Sequence, residues 1–261
     1  MKRVFYFVAV LLFFVYLTDS YADRRFFGRS YLAYTLPASS FEFELWNTGR
    51  IGKNIGYYYR FQPRFEFEYG VTDRLSMSLY FNFNQTTARN NSFQSKAFGF
   101  SSTSLELRYR FTNPGEFIAD PAIYFEFAYG GDELEFESKL IFSRWIGDFI
   151  TTLNINSEIE RSVIEAKNES VFEITGGVMY NLYSDFAFGI EFRNHRGYEN
   201  IYGEEESQAT FLGPTINYQT NSFYITINFI AQVAGSPATN KDLELNDHEK
   251  YEFRTILGVE L

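Results

Sequence analysis

The 261-residue chain contains no cysteine and only two histidines. Disulfide staples, thiolate metal centres and cysteine nucleophiles are therefore excluded. Charged residues make up only 21%, and their balance is acidic, with a formal net charge of −10. A nucleic-acid partner calls for a basic face, so none is expected. Beyond Leu17 no run is long and apolar enough to cross a bilayer as a helix. The chain is instead rich in rings, with 31 Phe, 20 Tyr and 2 Trp. That much apolar surface excludes disorder.

Residues 1–22 read as a secretion signal. Lys2 and Arg3 form its positive end, Val4–Leu17 its apolar stretch, and Ser20 and Ala22 the small residues before a cut. The apolar stretch is short for a spanning helix of ~20 residues. Asp23 is then the first residue of the mature chain. Without a spanning helix, that chain either stays in water or crosses a membrane as a closed barrel, which satisfies every backbone group in lipid.

The dominant period along the mature chain is two. Leu75-Ser76-Met77-Ser78-Leu79 and Leu105-Glu106-Leu107-Arg108-Tyr109 are clear instances. Successive strand side chains point to opposite faces, so each run has one apolar and one polar face. Twelve strands are expected, at 39–47, 57–69, 74–85, 102–112, 121–130, 133–144, 149–161, 170–182, 186–194, 208–218, 223–234 and 250–261. Many reach the ~9–11 residues that a tilted strand needs to span a bilayer. Pro63 and Pro214 fall inside these strands, where bulges or displaced strand starts are expected.

The connections alternate. Short turns such as 70–73, 146–148, 183–185 and 219–222 carry Gly, Asp and Asn. The opposite joins, 48–56, 86–101, 162–169, 195–207 and 235–249, are longer and more polar; 130–132 is the exception. Short turns on one side and long loops on the other mark an outer-membrane barrel with both termini on the periplasmic side. Tyr69, Tyr109, Phe111, Trp145, Phe149, Tyr180, Tyr183, Phe186, Tyr218 and Phe223 gather beside the short turns, where an interfacial girdle is expected.

On these residues the chain resembles a bacterial outer-membrane β-barrel protein of a porin-like kind. Tyr69-Gly70-Val71-Thr72-Asp73-Arg74-Leu75 is similar to a turn common in such barrels. The last strand, apolar at 251, 253, 257, 259 and 261, resembles the terminal strand read by the barrel assembly machinery, although it ends in Leu261 and is interrupted by Thr255. The resemblance implies an all-β, transmembrane, antiparallel up-and-down barrel over 39–261, located in the outer membrane among lipid and lipopolysaccharide. Residues 23–38 form a lead-in that either lines the periplasmic mouth or tucks into the lumen.

In such a barrel the polar face lines the lumen. The expected lumen set is Arg60, Arg64, Glu66, Glu68, Glu106, Arg108, Arg110, Glu126, Glu135, Glu137, Lys139, Glu158, Glu160, Glu173, Glu191, Arg193, Glu252 and Arg254. Eleven are acids and seven are bases, which favours cations in a water-filled lumen. The functional expectation is a narrow channel for small solutes. The alternative is a sealed structural or adhesive barrel acting through loops 86–101, 195–207 and 235–249. An outer-membrane hydrolase and a soluble periplasmic β-protein rank lower. His195 and His248 read as exposed loop residues, and no nucleophile elbow, cofactor motif or metal-ligand spacing is present. The acidic stretches Glu204-Glu205-Glu206 and 242–249 read as solvated loops.

Overall fold

The computed structural model describes residues 25–54, 56–89 and 95–261. The expected signal, residues 1–22, lies outside the described residues. Twelve strands follow in order: β1 (Phe41–Lys53), β2 (Gly56–Thr72), β3 (Leu75–Ala88), β4 (Lys96–Arg110), β5 (Asp120–Gly130), β6 (Glu133–Ile146), β7 (Phe149–Ser162), β8 (Asn168–Tyr183), β9 (Phe186–Glu199), β10 (Glu205–Gln219), β11 (Phe223–Ser236) and β12 (Tyr251–Glu260). No helix occurs among the described residues. Each strand pairs antiparallel with its sequence neighbours, and β1 pairs β12 to close the barrel. Closure removes every sheet edge, which a lipid environment requires.

The two faces separate as the alternation dictates. Outward residues such as Leu79, Leu107, Phe127, Ile216 and Phe253 are exposed. Their inward neighbours Ser78, Glu106, Arg108, Glu126 and Glu252 are buried. Greasy side chains thus form the outer surface, and ionic ones meet inside, the reverse of a soluble sandwich.

Three details differ from expectation. At Pro63 and Pro214 the strands neither bulge nor restart. The β2–β3 ladder runs from Phe61↔Gln85 to Arg64↔Asn82, and the β10–β11 ladder from Leu212↔Ala231 to Thr215↔Asn228, each skipping the proline in register. A proline has no N–H to donate, and the loss is confined to one side of its strand. Second, the strands run into the expected loops, since β3 extends to Ala88 and β9 to Glu199. The alternation continues in polar residues there, so the ladder does too. Third, Trp145 does not join an outer girdle. It packs edge-on against Phe26, with centroids 5.6 Å apart, on the lumen side of β6.

Candidate functional site: the lumen and its insert

The lumen is not empty. Residues 25–38 leave the short-turn end of β1, the end expected to face the periplasm, and fold into the barrel as a loop. Phe26, Phe27, Leu32 and Leu36 are buried, the first three beside Ile150, Met179 and Ala187. Each fully buried side chain of this kind contributes roughly 1.5–3 kcal/mol. The segment forms no ladder, so its backbone needs other partners. The amides of Gly28, Arg29 and Ser30 donate to the Glu191 carboxylate at 3.0, 2.8 and 2.6 Å. Tyr31 N donates to Asn154 Oδ1 at 2.6 Å, Ala33 N to Ser143 Oγ at 2.9 Å and Leu36 N to Ser76 Oγ at 3.0 Å. Asn217 Nδ2 and Arg254 donate in return, to the carbonyls of Arg25 (3.1 Å) and Gly28 (2.8 Å). A Cβ on Gly28 would overlap Asn228, so only glycine lets the segment lie this close to the wall.

The insert also brings charge. Arg25 pairs with Glu44 at 3.5 Å and Glu66 at 3.7 Å, and its guanidinium lies 3.6 Å from the Tyr31 ring centroid. Arg29 forms an ion pair with Glu252. Of these partners, Glu44 was not in the expected lumen set, nor was the neighbouring Glu42; both are fully buried.

The expected lumen residues all lie off the exposed outer surface and sort into clusters. Arg108 joins Glu68 (2.6 Å) and Glu106 (3.5 Å), and Tyr80 donates to Glu66 (2.9 Å) and to Glu106. Arg64 holds Asn82 (2.6 Å) and Glu126 (3.7 Å). Lys139 pairs with Glu137 at 2.7 Å above the Tyr124 ring. Arg193 pairs with Glu173 at 2.6 Å and with Glu252 at 3.7 Å. Glu191 is taken up by the insert, and Arg254 by Thr48 and Gly28. Arg60 lies opposite Arg50 in the register. Arg110 is at the periplasmic mouth, donating to the Asp73 carbonyl at 2.6 Å and to Thr35 at 3.1 Å. Glu135, Glu158 and Glu160 place carboxylate oxygens within 4.8 Å of one another.

A cavity lies on either side of the insert. The extracellular one, of about 400 Å³, is lined by Arg29, Arg50, Arg254, Glu135, Asn156 and Glu158 among others. The periplasmic one, of about 1060 Å³, is lined by Phe26, Tyr34, Thr35, Arg110, Trp145 and Asn221 among others. Tyr31 and Arg29 close the floor of the first, and Phe26 and Leu32 the roof of the second.

The histidines are not exposed loop residues. His248 is buried, its ring 4.9 Å from that of His195, and its Nε2 lies 3.2 Å from Ser207 Oγ. Burial, reinforced by Arg193, lowers His248 to about 4 and makes it a weak base at neutral pH. Nor is the 242–249 stretch solvated throughout: Asp242, Asn246 and Asp247 are exposed, but the rest folds inward. Glu244 is fully buried and accepts from the amides of Asn246 (2.8 Å) and His248 (3.1 Å), while Glu249 pairs with Arg50 at 3.1 Å. Alternation could not reveal this, because the folding-in of the β11–β12 loop depends on partners in β1 and β11.

Comparison with known proteins bears on this architecture. No curated protein matches the sequence. The COG4313 outer membrane channel from Pseudomonas putida F1 superposes with a TM-score of 0.68 over 88% of this chain and 98% of that one, at 10% identity. The NanC porin gives 0.54 over 84% and 98%, at 12% identity, and the KdgM porin 0.53 over 84% and 99%, at 8%. At such identities the likeness establishes a shared barrel fold. The sequence itself matches one family model over residues 19–131 and 146–261, so the chain belongs to the Family of unknown function (DUF6662).

Proposed function

We propose that this protein is an outer-membrane channel for small polar solutes, closed in this conformation by residues 25–38 and opened when they are displaced. One observation carries the reading: two cavities, about 400 and 1060 Å³, the first lined by Arg29 and Tyr31 and the second by Phe26, Leu32 and Tyr34, are parted by a segment that belongs to no strand. A barrel of this size falls between the filled interior of ~8 strands and the open channel of ~16–18. The fold shared with an outer membrane channel and two porins supports the reading. So does the last strand, whose outward Phe253, Leu257 and Leu261 suit insertion by the barrel assembly machinery. Displacing the insert would also remove Arg25 and Arg29 from Glu44, Glu66 and Glu252, leaving an acidic lumen that favours cations.

Liposome swelling tests this. The chain from Asp23 onward, and the same chain lacking 25–36, are reconstituted and challenged with small sugars and amino acids. Faster swelling with the truncated chain supports the channel. Equal, negligible swelling of both, with both folded, supports a sealed structural barrel instead.

A further inference from the structure

We propose that the extracellular cavity is a binding site for a small zwitterion, an amino-carboxylate whose amine and carboxylate are a few methylenes apart. The proposal rests on the channel reading only in that the captured solute is the one transported.

The cavity has two electrically opposite walls. In the closed strand order, β12 and β1 lie diametrically across from β6 and β7. Arg50 and Arg254 come from β1 and β12, joined by Arg29 of the insert. Of these three arginines, Arg29 and Arg50 share two carboxylates on their own side, Glu249 and Glu252. Arg254 is held by Thr48 and the Gly28 carbonyl and has no acidic partner among the described residues. The opposite wall carries Glu135, Glu137, Glu158 and Glu160, with Lys139 as its one base. Lys139 is engaged by Glu137 at 2.7 Å. Glu135, Glu158 and Glu160 make no salt bridge among the described residues, and their oxygens crowd within 4.8 Å. Register sets Glu135 opposite Glu160 and Glu137 opposite Glu158. Like charges directly opposed are unfavourable, and a cationic group relieves them.

A second feature marks the place for that group. Asn156, on β7 beside the acidic wall, is 4% exposed and lines the cavity. Its Nδ2 reaches Glu173 at 3.4 Å, but its Oδ1 has no hydrogen-bond partner among the described residues. An unpaired buried acceptor costs ~1–3 kcal/mol, and an ammonium between Asn156 and Glu158 satisfies it.

Size selects the class further. Twelve strands ~4.8 Å apart and tilted ~40° close at roughly 24 Å across the backbone, and side chains from both walls leave roughly 10 Å between charged ends. With a charge-assisted contact of about 2.8 Å at each end, the solute's own charges lie about 4–5 Å apart. A cavity of about 400 Å³ admits such a molecule and excludes an oligosaccharide.

The experiment is isothermal titration calorimetry on the full chain from Asp23, folded in detergent, with 4-aminobutanoate, butanoate and butylamine as probes. The zwitterion is expected to bind at least ten-fold more tightly than either singly charged analogue. R254Q and E158Q should each weaken it at least five-fold; E160Q serves where either fails to give the folded, heat-modifiable band. Equal affinity for the three probes, no binding of 4-aminobutanoate, or folded variants that bind it as well as the parent would overturn the proposal. Binding is read whether or not the barrel conducts, so failure here is distinct from failure in the swelling assay.

Discussion

The backbone amide of Ser30 donates to the carboxylate of Glu191 over 2.6 Å, joining the lead-in to a strand 161 residues further along the chain. Two more consecutive amides, from Gly28 and Arg29, reach the same carboxylate. Glu191 is 1% exposed, so these bonds act in a dry setting. The insert is held most firmly here.

Replacing Glu191 by Ala should therefore loosen the insert more than it loosens the barrel. Three amides would lose a charged acceptor, a cost of about 3 kcal/mol, or on the order of a hundred-fold in the docking equilibrium. Cleavage within 25–38 by a protease added from the periplasmic side should accelerate while the barrel stays resistant. An unchanged cleavage rate would show that other contacts suffice.

Arg108 is fully buried between Glu68 and Glu106. Arg108→Ala leaves both carboxylates buried without their salt-bridge partner, which costs about 3–5 kcal/mol. Guanidinium unfolding in detergent, followed by loss of the compact gel band, should show a lower midpoint. A shift below ~1 kcal/mol would mean that water or Arg25 compensates.

The outer surface makes the opposite demand. Phe81, midway along β3, is 37% exposed and faces away from the lumen. Phe81→Arg places a charge in hydrocarbon and should cost about 2–4 kcal/mol in lipid vesicles. In a soluble protein the same change on an exposed residue would be nearly neutral, so this variant separates the two environments.

Acid should release the β11–β12 loop in stages. Burial keeps His248 neutral, with its pKa at about 4 instead of the ordinary ~6.5. The stability it contributes is complete above about pH 6.5 and is lost as pH falls toward 4. Burial alone would raise Glu249, but Arg50 and Arg193 outweigh it and hold the carboxyl at about 2. Its contribution is present above about pH 4.5 and is lost below that. Amide exchange in 240–250, corrected for its intrinsic pH dependence, should rise first between about pH 6.5 and 4. His248→Phe should flatten that first step. An unaltered step in this variant would assign it to another group.

The barrel was legible because period two is local: Leu75–Asn84 declares its two faces without reference to any other strand. The strand count and the inward set from Glu66 to Arg254 follow from the same pattern. What was not legible is non-local. Nothing near Gly28 announces Glu191 or Asn228, so the course of 25–38 was open between the mouth and the lumen. Trp145 was assigned outward because aromatics favour the interface, whereas strand parity places it with Lys139 and Ser143 on the inner face. Glu42 and Glu44 share a strand with Phe41 and Phe43 and fit the alternation fully, so closer reading of β1 would have found them. The histidine pair needed the folded loop to bring residue 248 beside 195.

The central claim is that residues 25–38 close a conduit that otherwise runs through the barrel. Single-channel recording in planar bilayers, comparing the chain from Asp23 with the same chain lacking 25–36, tests it most directly. The account predicts brief or no openings for the former, and for the latter a steady conductance with potassium preferred over chloride. A truncated chain that folds yet passes no current, or that prefers chloride, would contradict it.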